Sequence, residues 1–269
     1  MSITKSKMKS ALLGLCCAAG LFSGSQSFAA DLPSRVITPE APVFVPAWHP
    51  FFVRAGVAGV FPDTHINSNI GAATITSPFL PFTLTNPAGN FPNSGGVSAR
   101  PAASFEAGYY VTHNIAVSVS GGFPPTFTTV GQNGLASQGV LYRVMEGLAV
   151  AAVTYHLDNF GPIRPYAGVG IGYAIVFRNE SAAVLNPLLR DKAAFVLVGG
   201  IDYDLSEHWG IFVDVKKAFL TQSFTGRTQP MAVTIPVGPG IPGTAQSTSA
   251  NASVRTDPLI ATAGVSYRF

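Results

Sequence analysis

The amino-acid sequence predicts an all-β fold: an eight-stranded antiparallel transmembrane β-barrel of the bacterial outer membrane. Three observations lead to this prediction. The chain begins with the layout of an export signal, its composition is apolar with few charges, and eight later segments alternate apolar residues with small or polar ones. After residue 29, no segment approaches the roughly 18 uninterrupted apolar residues of a membrane helix. Because lipid admits only helices and closed barrels, a barrel is the remaining membrane fold.

Residues 1–29 are predicted to be a secretory signal peptide. Lys5, Lys7 and Lys9 precede the apolar run ALLGLCCAAGLF, and the small residue Ala29 favours cleavage after it. The run is too short to span a membrane, which disfavours the alternative, an anchoring helix. Cleavage would remove both cysteines of the chain, so the exported protein would contain neither a disulfide nor a cysteine metal site.

The charge of the chain is low, and it is balanced once the signal is removed. Charged residues make up 11% of the sequence, against about 25% in typical soluble domains. The precursor has 16 basic and 13 acidic residues, and loss of three lysines leaves equal numbers, so no nucleic-acid partner is expected. Residues 30–50 are rich in proline, which cannot pair within a sheet. They are predicted to form a periplasmic lead-in before a barrel at 51–269.

Each predicted strand places odd-numbered side chains toward lipid and even-numbered side chains toward the lumen. The first strand, FFVRAGVAGVF at 51–61, has Phe51, Val53 and Val57 on one face and Arg54 on the other. The segment MEGLAVAAVTYHL is apolar on both faces, so its facing is the least defined. The other predicted strands are 103–111, 115–123, 145–157, 166–177, 194–205, 209–219 and 259–269.

The connections between these strands alternate in length, as in an outer-membrane barrel. Short links follow the second, fourth and sixth strands and are predicted to be periplasmic turns. The long extracellular loops are predicted at 62–102, 124–144, 178–193 and 220–258. On this topology the outward aromatic residues sort into two girdles, one near each membrane interface. A soluble β-sandwich, the alternative fold, would alternate in the same way but gives no reason for that sorting.

The last predicted strand, LIATAGVSYRF, pairs with the first strand to close the barrel. Its outward aromatic residues Tyr267 and Phe269 resemble the assembly signal by which outer-membrane barrels are recognised by the barrel-assembly machinery. We expect both side chains to face lipid at the periplasmic interface, where aromatic side chains are favoured.

Four segments of the chain are similar, in order and spacing, to segments of the OmpW/AlkL family. They read FFVRAG, THNIAVSVSGGFPP, IRPYAGVGIGY and RTDPLIATAGVSYRF. The resemblance implies an eight-stranded barrel associated with uptake of small hydrophobic compounds. It also implies a lumen that is apolar toward the outside and blocked toward the periplasm, with a lateral exit through the wall. The proline-rich loops 62–102 and 220–258 depart from the family pattern by their length.

The inward residues divide by height into an apolar group and a charged group. The hydrophobic lumen is predicted from Val60, Val144, Leu148, Val176, Val196, Val198 and Ile260. The lumen plug, toward the periplasm, is predicted from Arg54, Asp202, Asp204, Asp214, Lys216 and Arg268. Charges in a narrow, poorly hydrated interior have to pair. We therefore expect the two arginines to bridge the aspartates and Lys216 to lie near Glu146 or Asp214, either for stability alone or also for gating.

These features predict a narrow channel for small hydrophobic molecules. Such a solute would meet an apolar upper chamber and then a charged floor that it can cross only at a high cost in free energy. Leaving sideways into the bilayer would cost little, because transfer between two apolar phases is nearly neutral. The alternative is a structural or receptor barrel with a closed lumen and functional extracellular loops. The expected partners are membrane lipids, small hydrophobic solutes and the barrel-assembly machinery, in the outer membrane of a Gram-negative bacterium.

No catalytic pattern stands out in the sequence. The five histidines show no metal-ligand spacing, and no GxSxG motif occurs. Glu106 and Glu146 could in principle form a carboxylate pair for acid–base chemistry, but they lie on predicted strands separated by a third. We therefore predict no enzyme, no cofactor and no metal site.

Overall fold

A computed structural model describes residues 49–236 and 240–269. The predicted signal peptide and the predicted lead-in up to residue 48 lie outside the described residues. Within them the chain forms one short 3₁₀ helix, Asn133–Gln138, and 19 strands. None of the described residues belongs to a helix that is both long enough and apolar enough to cross a membrane.

The strands are, in chain order, β1 (Phe51–Phe61), β2 (His65–Ile70), β3 (Ala73–Thr76), β4 (Leu84–Asn86), β5 (Gly89–Phe91), β6 (Gly95–Val97), β7 (Arg100–Tyr110), β8 (Ile115–Gly122), β9 (Thr126–Gly131), β10 (Val140–His156), β11 (Ile163–Ser181), β12 (Val184–Leu189), β13 (Lys192–Asp204), β14 (Trp209–Phe219), β15 (Thr221–Thr228), β16 (Met231–Ile235), β17 (Ile241–Ser247), β18 (Ala250–Arg255) and β19 (Leu259–Arg268).

Eight of these strands close into an antiparallel barrel. Around the barrel the order is β1, β7, β8, β10, β11, β13, β14 and β19, and β19 pairs again with β1. The closing register runs from Phe52 opposite Arg268 to Phe61 opposite Leu259. Closure removes the free edges of the sheet, as a lipid environment requires. The predicted eight-stranded antiparallel barrel is therefore confirmed.

The barrel wall has an apolar outer surface, because successive side chains along a strand point to opposite faces. In β1, Arg54 is 5% exposed, whereas Val57, three residues later, is 73% exposed. Val119 and Val213 are also exposed on the outside of other strands. A continuous apolar surface of this kind is stable against acyl chains and unstable in water.

Three short turns, at 111–114, 157–162 and 205–208, connect barrel strands at one end, which we call the short-turn end. Aromatic rings gather there on the outside of the wall. The centroid distances are 4.7 Å for Phe51–Tyr109, 4.9 Å for Trp209–Tyr267 and 4.8 Å for Tyr267–Phe269. At the opposite end, Phe195 and Phe219 stack with centroids 6.2 Å apart. Aromatic residues at both rims are typical of outer-membrane barrels.

The four long connections are largely built of strands. Eight strands were expected from the sequence, and the eleven additional ones lie in these connections. β2 and β5 join β12, β15 and β18 in a five-stranded sheet, while β3, β4, β16 and β17 form a four-stranded sheet. β6 and β9 extend the barrel sheet beside β10. These strands were missed because they are short and rich in Ser, Thr, Asn and Gly, a composition that sequence reasoning assigns to loops.

Two of the three clusters of buried apolar residues in the described part of the chain are large. We call the first the lower apolar cluster; it contains Val150, Ala152, Tyr166, Ala174, Ala194, Val196, Val198, Ala218 and Leu220. The upper apolar cluster lies farther from the short-turn end and contains Ile66, Phe127, Leu141, Tyr142, Val144, Leu189, Phe224 and Val254. Within it the Tyr142 and Phe224 rings stack at 4.4 Å. The upper cluster draws on the strands of the long connections, whose side chains therefore line the lumen at that end.

Candidate functional site

Buried charges cross the lumen near the short-turn end. Arg54 Nη2 donates to both carboxylate oxygens of Asp202, at 2.8 Å each, and Nη1 donates to the Tyr166 hydroxyl at 3.2 Å. Arg54 Nη1 also lies 3.5 Å from Glu106 Oε1. Asp202 is 1% exposed, so this pair is shielded from water. Charge-assisted hydrogen bonds in such surroundings are the strong ones.

Glu106 joins this pair to a second one. Its Oε2 accepts a hydrogen bond from Lys216 Nζ at 3.3 Å, and Lys216 also donates to Asp214. We call these five residues, Arg54, Glu106, Asp202, Asp214 and Lys216, the charged floor. In it two cations alternate with three carboxylates. Each charge thus has an opposite charge as its neighbour, which offsets the cost of removing it from water.

Glu106 was not among the predicted plug residues. It lies directly opposite Arg54 in the pairing of β7 with β1. The alternation in the sequence places Glu106 on the inward face of its strand. It does not give the register between β7 and β1, and that register puts Glu106 beside Arg54. The suggested contact between Lys216 and Glu146 does not form; Glu146 instead accepts a hydrogen bond from Gln222 Nε2 at 2.6 Å.

Aromatic rings and a histidine complete the surroundings of Arg54. Its guanidinium carbon lies 4.8 to 5.1 Å from the ring centres of Phe52, Tyr166 and Phe212. Cation–π contacts of this kind add to the ion pair. His156 Nδ1 is 3.4 Å from Asp202 Oδ2, and its Nε2 is 3.0 Å from Thr154 Oγ1. The floor is therefore a packed network with polar partners on several strands.

A separate ion pair lies closer to the short-turn end. Arg268 Nη2 is 2.8 Å from Asp204 Oδ1, and Nη1 donates to Oδ2 at 2.9 Å. Both side chains are more exposed than those of the charged floor. Because solvent screens exposed pairs, we expect this bridge to contribute less to stability.

A cavity of about 120 Å³ lies beneath the upper apolar cluster. Four residues of the predicted hydrophobic lumen line it: Val60, Val144, Leu148 and Ile260. The other three do not. Val196 and Val198 are packed in the lower apolar cluster, and Val176 packs against the upper one. Lys216 reaches the base of the cavity, so the charged floor borders it directly.

The barrel wall is interrupted beside this cavity. The pairing of β8 with β10 ends at Ser120 opposite Val150, and β9 takes over only at Thr126 opposite Met145. Between these points, 121–125 does not pair with β10 apart from one bond, from Glu146 N to the Pro125 carbonyl at 3.3 Å. On its other side the segment stays paired with β7, with Gly121 opposite Phe105 and Gly122 opposite Ser104. The segment reads GGFPP, and its two prolines have no N–H to donate. We call this stretch the wall gap.

The cavity borders the wall gap. Gly121, Phe123 and Pro125 on one side of the gap and Gly147 on the other all line the cavity. Gly121 has the outward parity of Val119, and apart from its chain neighbours no described atom lies within 4 Å of the point where a side chain there would begin. The cavity is therefore bordered by both edges of the wall gap.

Comparison with known proteins gives a family match over most of the chain. A family model described as OmpW family matches residues 50–269. Outer membrane protein AlkL of Ectopseudomonas oleovorans is 29% identical over 166 residues, which are 62% of this chain and 65% of AlkL, just under two thirds of that relative. The dibenzothiophene metabolism operon protein PahQ of Pseudomonas aeruginosa is 25% identical over 177 residues, 65% of this chain and 75% of PahQ.

A solved structure gives the same fold. The crystal structure of the outer membrane protein OprG from Pseudomonas aeruginosa superposes with a TM-score of 0.61 at 17% identity, over 82% of this chain and 96% of OprG. At this identity the likeness concerns the fold alone. With the family match over most of the chain and the closed eight-stranded barrel, it leads to one conclusion: this chain is an outer-membrane β-barrel that belongs to the OmpW family.

Proposed function

We propose that this barrel is a non-enzymatic channel for the uptake of small hydrophobic compounds. In this proposal the short-turn end faces the periplasm, and residues 1–29 export the chain across the inner membrane of a Gram-negative bacterium. The solute enters from outside, occupies the apolar cavity, and leaves through the wall gap into the outer leaflet of the bilayer. One observation carries the proposal: an apolar cavity that is bordered by the wall gap at its side and by the charged floor at its base.

The size and lining of the cavity suit small apolar solutes. An engineered apolar cavity of about 150 Å³ binds benzene and stays dry without it. The cavity of about 120 Å³ here is similar in size, so a compound larger than one aromatic ring requires the wall gap to widen. The relative PahQ is named for dibenzothiophene metabolism, which supports apolar aromatic compounds as the substrate class.

The charged floor acts as the plug in this proposal. A hydrophobic solute that entered it would separate Arg54 from Asp202, or Lys216 from Glu106, without offering a hydrogen-bond partner to either charge. Leaving a buried charge unpaired costs several kcal/mol. Moving from the cavity into the bilayer exchanges one apolar phase for another and is nearly neutral. The sideways path is therefore the one of lower free energy.

Filling the wall gap tests the sideways path. We expect Gly121→Trp to reduce uptake of an apolar test compound about tenfold, equivalent to a barrier raised by about 1.4 kcal/mol. The reason is that the side chain would occupy the space where the cavity meets the outer surface. Uptake would be measured in vesicles containing the purified barrel, with naphthalene or n-octane as the test compound.

Gly199→Trp is the matched control. Gly199 lies on β13, away from the gap, and the one described atom within 4 Å of its added Cβ is the Tyr166 carbonyl oxygen at 3.9 Å. A folded Gly121→Trp barrel that transports as fast as Gly199→Trp would contradict exit through the gap.

A receptor or structural role remains the second candidate function. The two additional sheets outside the barrel favour this role, because a channel for small solutes does not need that much structure beyond the barrel wall. In that case the lumen would serve stability alone. Substitutions that charge the cavity or block the gap would then leave the receptor or structural role unchanged. Removing strands of the two additional sheets would abolish that role.

We propose further that Tyr267 and Phe269 contact the barrel-assembly machinery, and that membrane lipids surround the girdle to which they belong. Phe269 is exposed on the outside of the wall and its ring packs on Tyr267. Phe269→Ser is expected to lower the amount of folded barrel in the outer membrane several-fold. Phe61→Ser is the control, because Phe61 is equally an outward aromatic but lies at the far end of β1. The heat-dependent gel shift of folded barrels measures the outcome, and equal losses in both variants would contradict a specific signal.

A further inference from the structure

Three potential metal ligands meet at the short-turn end, away from the cavity and the charged floor. They are His49, just before β1, and Glu207 and His208, in the turn between β13 and β14. Each offers one ligand atom, and these atoms all lie within 4.8 Å of one another. Imidazole nitrogens and carboxylate oxygens are common ligands of transition metals. The proposed channel uses none of these side chains.

The backbone on both sides of this cluster is held in place. The Pro50 carbonyl accepts a hydrogen bond from Tyr110 N at 2.8 Å, and the His208 carbonyl accepts one from Arg268 N at 2.8 Å. The His49 and His208 rings lie close together, with centroids 4.5 Å apart and planes at 47°. The two imidazoles are therefore brought together by hydrogen bonds of the barrel itself.

His49 carries a polar atom that lacks a protein partner. Its Nε2 is buried and accepts or donates no hydrogen bond among the described residues. Leaving a buried polar atom without a partner is unfavourable, so such atoms are rare in folded proteins without a ligand or a water. A metal bound to Nε2 would satisfy this atom. This observation is independent of the spacing of the three side chains and points to the same position.

We propose that His49, Glu207 and His208 form a binding site for a divalent transition metal, with Zn²⁺ as the best match. Two histidines and one glutamate are a known zinc ligand set in which a water takes the fourth position. The imidazoles disfavour Ca²⁺ and Mg²⁺, which prefer oxygen ligands. Around a tetrahedral zinc, with bonds of about 2.0–2.1 Å, ligand atoms lie about 3.3 Å apart. The ligand atoms, which lie within 4.8 Å of one another, would reach this spacing by rotation of the exposed Glu207 side chain and of the His208 ring.

The proposed metal would act as a clip across the closure of the barrel. His49 precedes β1 and His208 precedes β14, while β19 lies between these two strands in the sheet. The metal would thus join the outer two of three neighbouring strands at the point where the chain meets itself. Because it binds the folded barrel and not the unfolded chain, it would stabilise the closed state.

Metal titration of the folded full chain in detergent micelles tests this site. We expect one Zn²⁺ per chain by isothermal titration calorimetry, with micromolar affinity, and the intense visible absorption of four-coordinate Co²⁺ when Co²⁺ replaces zinc. His49→Ala and His208→Ala should each weaken binding at least about tenfold, because each removes a direct ligand. Glu207→Gln should weaken it as well.

His113→Ala is the matched control, because His113 lies on another turn at the same end of the barrel. It should leave metal affinity unchanged. Zinc should also raise the thermal unfolding midpoint of the unaltered chain and of His113→Ala but not of His49→Ala. The proposal is overturned if Zn²⁺ binds no tighter than millimolar, or if binding survives in the double variant His49→Ala, His208→Ala. None of these three readouts involves transport, so failure here leaves the proposed channel untouched.

Discussion

Replacing Leu148 with glutamate is expected to abolish uptake of an apolar test compound by a barrel that still folds. Leu148 lines the cavity and is only partly buried, so the new carboxylate has room and retains some water. An apolar solute would then have to displace water from a charge, and burying a charge without a partner is costly. We expect at least a tenfold loss of uptake, or about 1.4 kcal/mol of added barrier.

Two further variants isolate the effect of charge in the cavity. Leu148→Met keeps the site apolar at similar volume and should transport normally, since such swaps disturb packing little. Leu205→Glu adds the same charge at an exposed position in a short turn and should also transport normally. Leu148 is a better position for this test than Val196, which is 0% exposed and packed in the lower cluster, where a charge would disrupt folding. A folded Leu148→Glu barrel with undiminished uptake would argue for the receptor role.

Neutralising Asp202 is expected to produce the largest loss of stability. Asp202→Asn keeps the shape of the side chain but removes the carboxylate that accepts both short bonds from Arg54. Breaking a buried ion pair by removing one partner typically costs 3–5 kcal/mol. Because Arg54 retains Glu106 at 3.5 Å, we expect a loss near 3 kcal/mol. Urea unfolding of the barrel in lipid vesicles measures it.

Asp204→Asn provides the comparison for this loss. The substitution is chemically the same, lies two residues away on the same strand, and also removes the partner of an arginine. Since the Asp204–Arg268 pair is more exposed, the expected loss is about 1 kcal/mol or less. If both variants lost the same free energy of unfolding, the charged floor would not be the stabilising layer that its burial indicates.

Much of the fold was accessible from the sequence because a strand in a barrel wall repeats every two residues. The predicted strands 51–61 and 209–219 coincide with β1 and β14. The boundaries of β10 and β11 were less well predicted, since both strands continue beyond the apolar region, where they pair with each other and β10 also pairs with β9. In these extensions the sequence no longer shows the apolar pattern of the wall, although the backbone hydrogen bonding between the strands continues.

The candidate site was accessible only in part. The sequence places Arg54 and Asp202 inside the lumen by parity and near one end by strand direction. It does not place Glu106 beside Arg54, since that contact depends on the register between two strands. The GGFPP segment contains two prolines that weaken strand pairing, but its position against an apolar cavity depends on how β9 replaces β8 beside β10.

By itself, the sequence determined which side chains face lipid, which face the lumen, and that the wall closes, because these follow from local alternation and from the cost of unpaired backbone in a membrane. Only the tertiary structure decided which charges touch, where the wall is interrupted, and that His49 meets His208 across the closed barrel. Such contacts join strands that are distant in the chain, and they are set by register and closure, to which no local pattern responds.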